Sequence, residues 1–139
     1  MYFFILILLE LCLATPVYAD VTLEEVYTNP APNSLSQALI IYNSANPCYK
    51  CDQTITALNN ILNTKYQNRL NTHLINIQSN PQFGDFFHID APLTLVIIRI
   101  NDGAAFGYRK LTGLQSEIDD LSLLTERIEQ FINNFLDLN

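Results

Sequence analysis

Positive charge is scarce in this sequence. Seven Lys and Arg residues stand against 14 Asp and Glu, for a formal net charge of −7. The basic residues form no stripe, and phosphate binding needs clustered Lys and Arg. We therefore predict no nucleic-acid partner. Charged residues make up only 15%, yet the hydrophobic fraction of 49% is ample for a folded core.

Internal repeats and low-complexity segments are also absent from the 139 residues. A chain of this length has room for one domain and little else. Residues 20–36 are polar and contain Pro30, Pro32 and Asn33, which break any regular element. We predict that they form a lead-in segment and loop, and that one domain occupies residues 37–139.

The N-terminus has the pattern of a signal peptide. Residues 3–14 are almost continuously apolar, and Val17-Tyr18-Ala19 offers small residues before a cleavage ahead of Asp20. The apolar run is shorter than the about 20 residues that a membrane span needs. We predict that residues 1–19 are removed on export, and an uncleaved anchor formed by residues 3–19 is the alternative.

Cysteine occurs only three times, and removal of the first 19 residues leaves Cys48 and Cys51 as the remaining thiols. An exported chain with one closely spaced pair fits an oxidising compartment, where thiols either pair or do chemistry. The sequence contains no Asn-x-Ser/Thr sequon. This favours a bacterial periplasm, with a eukaryotic secretory lumen as the alternative.

The motif Cys48-Tyr49-Lys50-Cys51 follows an apolar run and opens a helical pattern. A thiol in the first turn of a helix faces the positive end of the helix dipole and unpaired backbone N–H groups. Both stabilise the thiolate, which is the nucleophile in disulfide exchange. The positive charge of Lys50 is expected to lower the thiol pKa further. The motif therefore indicates a redox pair, and an inert structural disulfide is the alternative.

Hydrophobic periodicity predicts strands that alternate with helices. Apolar runs predict strands at 37–43 and 93–100, and alternation of apolar and polar residues predicts one at 70–77. Residues 105–111 would be the strand that returns after a hairpin turn. Helical spacing predicts helices at 49–66 and 115–136, with a short irregular or helical piece at 80–86. The first crossover requires parallel pairing, whereas Asn101-Asp102-Gly103 predicts an antiparallel hairpin. We predict an α/β fold with a central mixed β-sheet flanked by helices.

Taken together, these features resemble the thioredoxin-like superfamily. The first match is the strand, turn and helix around the cysteine motif, and the second is the run Ile75-Asn76-Ile77-Gln78-Ser79-Asn80-Pro81. The third is Ala91-Pro92 directly before a strand, and Gly113 matches a glycine that precedes the last helix. The resemblance covers about residues 36–136 and implies a thioredoxin fold.

The resemblance also implies an activity. Cys48 would be the nucleophile and Cys51 the resolving thiol of a thiol–disulfide oxidoreductase acting on protein substrates, with no cofactor beyond its own dithiol. A cis peptide bond is implied at Ala91-Pro92, where the backbone and Tyr49 would contact an extended substrate. A membrane protein is a further expected redox partner. The alternative is a non-catalytic protein-binding module of an envelope assembly, with a structural Cys48–Cys51 disulfide.

Departures from the family pattern predict atypical redox behaviour. Pro47 stands where small thioredoxins have Trp, and Tyr49-Lys50 replaces Gly-Pro between the cysteines. Tyr42 occupies the position of the family's buried acid. Because a phenol is a poor proton acceptor at neutral pH, we expect slow or water-mediated deprotonation of Cys51.

Other polar and aromatic residues offer weaker candidates. His73 and His88 lack zinc-finger spacing relative to the cysteines, so we predict no metal site. The Phe86-Phe87 pair either forms an apolar rim with Tyr49 or packs against Phe83. The acidic cluster of Glu117, Asp119 and Asp120 is explained by a favourable position at the start of the last helix.

Overall fold

The computed structural model describes residues 21–137, which form a four-stranded sheet with helices on both faces. The strands are β1 (Ser36–Tyr42), β2 (Leu70–Asn76), β3 (Leu93–Asn101) and β4 (Ala104–Thr112), in the order β2-β1-β3-β4. β1 pairs in parallel with β2, whereas the β1–β3 and β3–β4 pairs are antiparallel. The predicted mixed sheet is confirmed, and the predicted signal peptide lies outside the described residues.

Three helices surround the sheet: α1 (Cys51–Lys65), α2 (Pro81–Phe87) and α3 (Leu121–Leu136). One face of the sheet packs under α1 and α3. On this face the β3 residue Leu95 contacts a cluster that includes Leu58 of α1 and Ile128 of α3, all fully buried. Burial of a side chain of this size contributes about 1.5–3 kcal/mol to folding. Helical spacing predicts that Leu121 of α3 also faces this cluster, but its side chain is 58% exposed.

The opposite face of the sheet packs against α2. Val96 of β3 lies in a second buried cluster with Phe83 and Phe87 of α2. Phe87 also meets the Tyr108 ring edge-on, with 4.7 Å between centroids. The packing alternative for the Phe86-Phe87 pair is therefore the one observed, because this cluster lies on the face away from the cysteines.

The lead-in segment contains more structure than the sequence predicted. Residues Glu24–Thr28 form a short helical turn, and Val26 is buried in the cluster around α2. Pro30 and Asn33 end regular structure only after this turn. Apolar contact of Val26 with the sheet supplies the stabilisation that local sequence propensity does not.

Two helix starts differ from the prediction. α1 begins at Cys51 because Lys50 adopts a left-handed conformation, with φ of 67°. The last helix begins at Leu121, after a separate 3₁₀ turn at Leu114–Glu117. Asp120 sets this start, since its side chain accepts a hydrogen bond from the Leu123 N–H at 3.1 Å. Glu117 therefore ends the 3₁₀ turn, Asp119 lies in the turn that follows it, and Asp120 is the N-cap of α3.

We expect Asp120→Ala to lower the free energy of unfolding by about 1 kcal/mol, the usual loss for a missing N-cap. Asp120→Asn is the matched control, because asparagine caps about as well as aspartate. Denaturant unfolding of the two variants measures the difference. Equal losses in both variants would contradict the capping role.

No helix within residues 21–137 is both long and apolar enough to cross a lipid bilayer.

Candidate functional site

The candidate site lies at one edge of the sheet, where several strand ends meet. Tyr42, the last residue of β1, pairs with Asn76 at the end of β2 and with Leu93 at the start of β3. Thr112, at the end of β4, pairs with Thr94. The loop that carries the cysteines follows Tyr42, and Pro92 precedes Leu93. The topology thus places the cysteine loop and Pro92 at the same edge.

Cys48 and Cys51 form a disulfide, with 5.2 Å between their Cα atoms. Cys51 is the first residue of α1 and is only 7% exposed. Cys48 lies before the helix rather than within its first turn, and it is half-buried. The Cys51 N–H donates a hydrogen bond to the Cys48 carbonyl at 3.2 Å, which closes the turn. Cys48 is therefore the more exposed of the two cysteines.

Lys50 is held firmly between the two cysteines. Its carbonyl accepts hydrogen bonds from the Thr54 N–H at 3.0 Å and from the Thr54 hydroxyl at 2.8 Å. Its ammonium group donates to both carboxylate oxygens of Asp119, at 2.7 and 2.6 Å. This hydrogen bond and the charge of Asp119 raise the pKa of Lys50 above its ordinary value. Lys50 therefore stays protonated and is paired with Asp119.

An asparagine network supports the loop before the cysteines. The Asn76 side-chain oxygen accepts hydrogen bonds from the Ser44 N–H at 3.2 Å and from the Gln78 N–H at 3.1 Å. The side chain of Gln78 donates to Asn43 at 3.0 Å, and Asn43 accepts from the Ala45 N–H at 2.9 Å. The network links the end of β2 to the loop that leads from β1 to Cys48.

Ala91 and Pro92 are half-buried at this edge. The Pro92 carbonyl accepts a hydrogen bond from the Asn43 N–H at 3.3 Å, which ties it to the start of the cysteine loop. Peptide bonds among residues 21–137 are all trans, so the cis bond implied at Ala91-Pro92 is not present in this structure. The trans isomer is the lower-energy one for a typical X–Pro bond, by about 0.5–1 kcal/mol.

Two tyrosines flank the cysteines in different environments. Tyr42 is half-buried, and both it and Cys48 pack against the cluster under α1 and α3. The position at which the resemblance implies a buried acid therefore holds the phenol of Tyr42. Tyr49 is 84% exposed, and its ring faces the Lys50 ammonium with 5.2 Å from the nitrogen to the centroid. Tyr49 is therefore available for contact with another molecule.

The histidines lie apart from the cysteines. His73 lies on β2, where its Nε2 is 2.7 Å from the Gln37 side-chain oxygen. His88 is an exposed left-handed residue at the end of α2. Across residues 21–137, no three His, Cys, Asp or Glu side chains come together in a group that could hold a metal ion.

Sequence reasoning assigned no role in the site to three residues whose side chains bond to it: Asp119, Asn76 and Thr54. Asp119 is 69 residues from its partner Lys50, so no local pattern connects them. Asn76 carries a weak signal, since asparagine at the end of a strand commonly bonds to nearby backbone in a turn. Thr54 has no feature in the sequence that distinguishes it from other residues of the helix.

This chain matches known proteins by structure but not by sequence. No protein-family model matches the sequence, and neither does any curated protein. Solved structures do match. The Trx4 domain of ERdj5 superposes with a TM-score of 0.57 at 9% identity, covering 83% of this chain and 95% of that domain.

Two thioredoxins give similar matches. The germline-specific thioredoxin Deadhead of Drosophila melanogaster has a TM-score of 0.51 at 16% identity, covering 71% of this chain and 83% of its own. Chloroplastic thioredoxin z has a TM-score of 0.51 at 14% identity, covering 76% of this chain and 92% of its own. The chain has the thioredoxin fold. The resemblance inferred from the order of elements is thus confirmed for the fold.

Within the thioredoxin fold, the Cys48–Cys51 pair stands between β1 and α1, and Pro92 stands before β3. These identities are too low to transfer an activity.

Proposed function

We propose that this protein is a thiol–disulfide oxidoreductase that exchanges disulfides with protein substrates through Cys48 and Cys51. The observation that carries the proposal is the unequal exposure of a disulfide-bonded pair at a helix N-terminus. Cys48 is half-buried and so partly exposed to a second molecule, whereas Cys51 is 7% exposed and lies in the buried cluster under α1 and α3. This is the arrangement that a nucleophile and a resolving thiol require.

The exchange runs in two steps. In the reduced protein, the Cys48 thiolate attacks one sulfur of a substrate disulfide, forms a mixed disulfide and expels the other substrate sulfur as a thiolate. The Cys51 thiolate then attacks the Cys48 sulfur, reforms the Cys48–Cys51 bond and releases the second substrate thiolate. Two electrons pass to the substrate, whose thiolates take up protons from water. The reverse sequence oxidises a substrate dithiol.

The surrounding residues fit substrate contact. Tyr49 projects from between the cysteines, and Ala91 and Pro92 border the same sheet edge. We propose that these three residues contact the polypeptide that carries the substrate disulfide. The dithiol itself supplies the redox chemistry, so no further cofactor is needed. A membrane redox partner would recycle the Cys48–Cys51 couple.

The proposed location is the cell envelope, and a bacterial periplasm in particular. Its support is the signal-peptide pattern of residues 1–19 and the single cysteine pair left after their removal. Detection of a mature chain that begins at Asp20 in a periplasmic fraction would test this location. A full-length chain retained in the membrane would support the anchor formed by residues 3–19 instead.

Selective alkylation and insulin reduction test the proposed activity. In the reduced protein near neutral pH, iodoacetamide should modify Cys48 at least about tenfold faster than Cys51, because only Cys48 is accessible. Mass spectrometry of timed samples measures both rates. The wild-type protein with dithiothreitol should accelerate insulin reduction, and the Cys48→Ser/Cys51→Ser variant should not. Equal activity of the two proteins would refute the proposal.

One observation favours a second candidate, a protein-binding module with a structural disulfide. Tyr42 stands at the buried-acid position, so no carboxylate there deprotonates Cys51. A binding module should retain its partner in the Cys48→Ser/Cys51→Ser variant, and its disulfide should resist reduction by glutathione. A wild-type protein that does not accelerate insulin reduction, together with a partner that the double variant still binds, would support the binding module over the oxidoreductase.

A further inference from the structure

The charge environment of the cysteine pair depends on a residue from the far end of the chain. Lys50 immediately precedes Cys51 in the motif. Residues 43–56, which comprise the loop before the motif, the motif itself and the start of α1, contain no other Lys or Arg. A cation near a thiolate lowers the thiol pKa and favours the dithiol over the disulfide. The position of the Lys50 ammonium therefore matters for the redox chemistry.

The backbone and the side chain of Lys50 are both held in place by neighbouring groups. Its backbone is fixed in the left-handed region, and its carbonyl is bonded twice to the fully buried Thr54. Its side chain is only 22% exposed and passes beside the Tyr49 ring to Asp119. Within residues 21–137, Asp119 is the carboxylate that forms an ion pair with this ammonium group, and the Tyr49 ring lies beside it.

The segment that carries Asp119 is fixed as well. Asp120 caps α3 through the Leu123 N–H. On the other side, Glu117 forms an ion pair with Arg127 of α3, and Arg127 also donates to the Thr112 carbonyl at 3.3 Å. Asp120 and Glu117 therefore both anchor the segment to α3. The Asp119 side chain, which lies between them in sequence, forms the ion pair with Lys50. Its side chain remains 78% exposed.

We propose that Asp119 is a positioning residue that directs the Lys50 ammonium away from the Cys48 sulfur and so limits ionisation of the Cys48 thiol. The ion pair leaves almost no net charge beside the dithiol. Without Asp119, the ammonium becomes free to approach the thiolate, which stabilises the reduced form. Asp119 therefore keeps the couple more reducing than the motif alone would make it.

This inference rests on the proposed function only for its effect on catalysis, because ionisation and redox equilibrium are measurable without a protein substrate. Other titratable groups near the pair by sequence or packing stay unchanged in every variant: Tyr42, Tyr49, Asp52 and Asp90.

A double-mutant cycle tests the proposal with Asp119→Asn, Lys50→Met and the combined variant. The readout is the pH dependence of Cys48 alkylation by iodoacetamide in the reduced proteins at low ionic strength. We expect Asp119→Asn to lower the pKa of Cys48 by about half a unit, roughly threefold in ionisation constant. In the Lys50→Met background the same substitution should have a clearly smaller effect, since only the direct repulsion by Asp119 is then removed.

Equal shifts in the two backgrounds, or no shift at all, would overturn the proposal, because Asp119 would then not act through Lys50. Asp119→Glu is the conservative rescue and should keep the pKa of Cys48 close to that of the wild type. Circular dichroism confirms that each variant is folded, which the exposed position of Asp119 favours.

Equilibration with glutathione gives an independent readout. Above the pKa of Cys48, Asp119→Asn should shift the equilibrium toward the dithiol by up to about threefold, equivalent to about 14 mV for a two-electron couple. A shift toward the disulfide would contradict the proposal. Absence of insulin reduction by the wild type would refute the proposed function, yet it would leave both readouts of the Lys50–Asp119 coupling intact.

Discussion

Replacement of Cys51 by serine is expected to trap mixed disulfides between Cys48 and protein substrates. The nucleophile is kept in this variant, but the thiol that releases the substrate is lost. Multiple-turnover insulin reduction should fall roughly a thousandfold, as when one member of a catalytic unit is removed. Non-reducing electrophoresis of cells that express the variant would show the complexes, which dithiothreitol should dissolve.

Cys48→Ser is the matched control for this experiment. It removes the accessible sulfur and leaves the one that is 7% exposed, so it should be equally inactive but trap no substrate. The contrast separates loss of chemistry from loss of fold, because both variants lack the same disulfide. If the two variants trap equal amounts of protein, or neither traps any, the assigned roles of Cys48 and Cys51 are wrong.

Truncation of Phe83 is expected to give the largest loss of stability. Phe83 is fully buried in the cluster between α2 and the sheet, where its ring stacks near Phe87 with 6.5 Å between centroids. Phe83→Ala should lower the free energy of unfolding by about 3–5 kcal/mol, from the lost apolar contact and the remaining cavity. Guanidinium unfolding with the disulfide intact measures this loss.

Phe106 provides a control of the same residue type, because its side chain on β4 is 65% exposed. Phe106→Ala should change the free energy of unfolding by no more than about 0.5 kcal/mol. If Phe83→Ala does not fold, Phe83→Leu should still cost more than the control. Comparable losses at the two positions would contradict the assignment of the α2 cluster as core.

The order of elements was predictable because each strand carries its own signal. β3 contains the apolar run Leu95-Val96-Ile97-Ile98, and Asn101-Asp102-Gly103 has few conformations other than a tight turn. Such patterns depend only on neighbouring residues, so they can be recognised without knowledge of the fold. The start of α1 was not predictable in the same way, since the left-handed conformation of Lys50 has no local signal.

Some residues of the candidate site could likewise be predicted from the sequence, and others could not. Cys48, Cys51 and Pro92 could be picked out because spacing and residue type are local properties. The surroundings of the cysteines could not, since they come from segments far apart in sequence. The Lys50 side chain meets Asp119 across 69 residues, and the cysteine loop is supported by Asn76 from another strand.

The sequence by itself determined the α/β order, the cysteine pair and the predicted place of that pair before a helix. These properties depend on hydrophobic period and on residues at most a few positions apart. Tertiary structure alone decided that Cys51 is more deeply buried than Cys48, and that the charge of Lys50 is paired with Asp119. Burial and ion pairing depend on which distant segments the packed sheet and helices bring together.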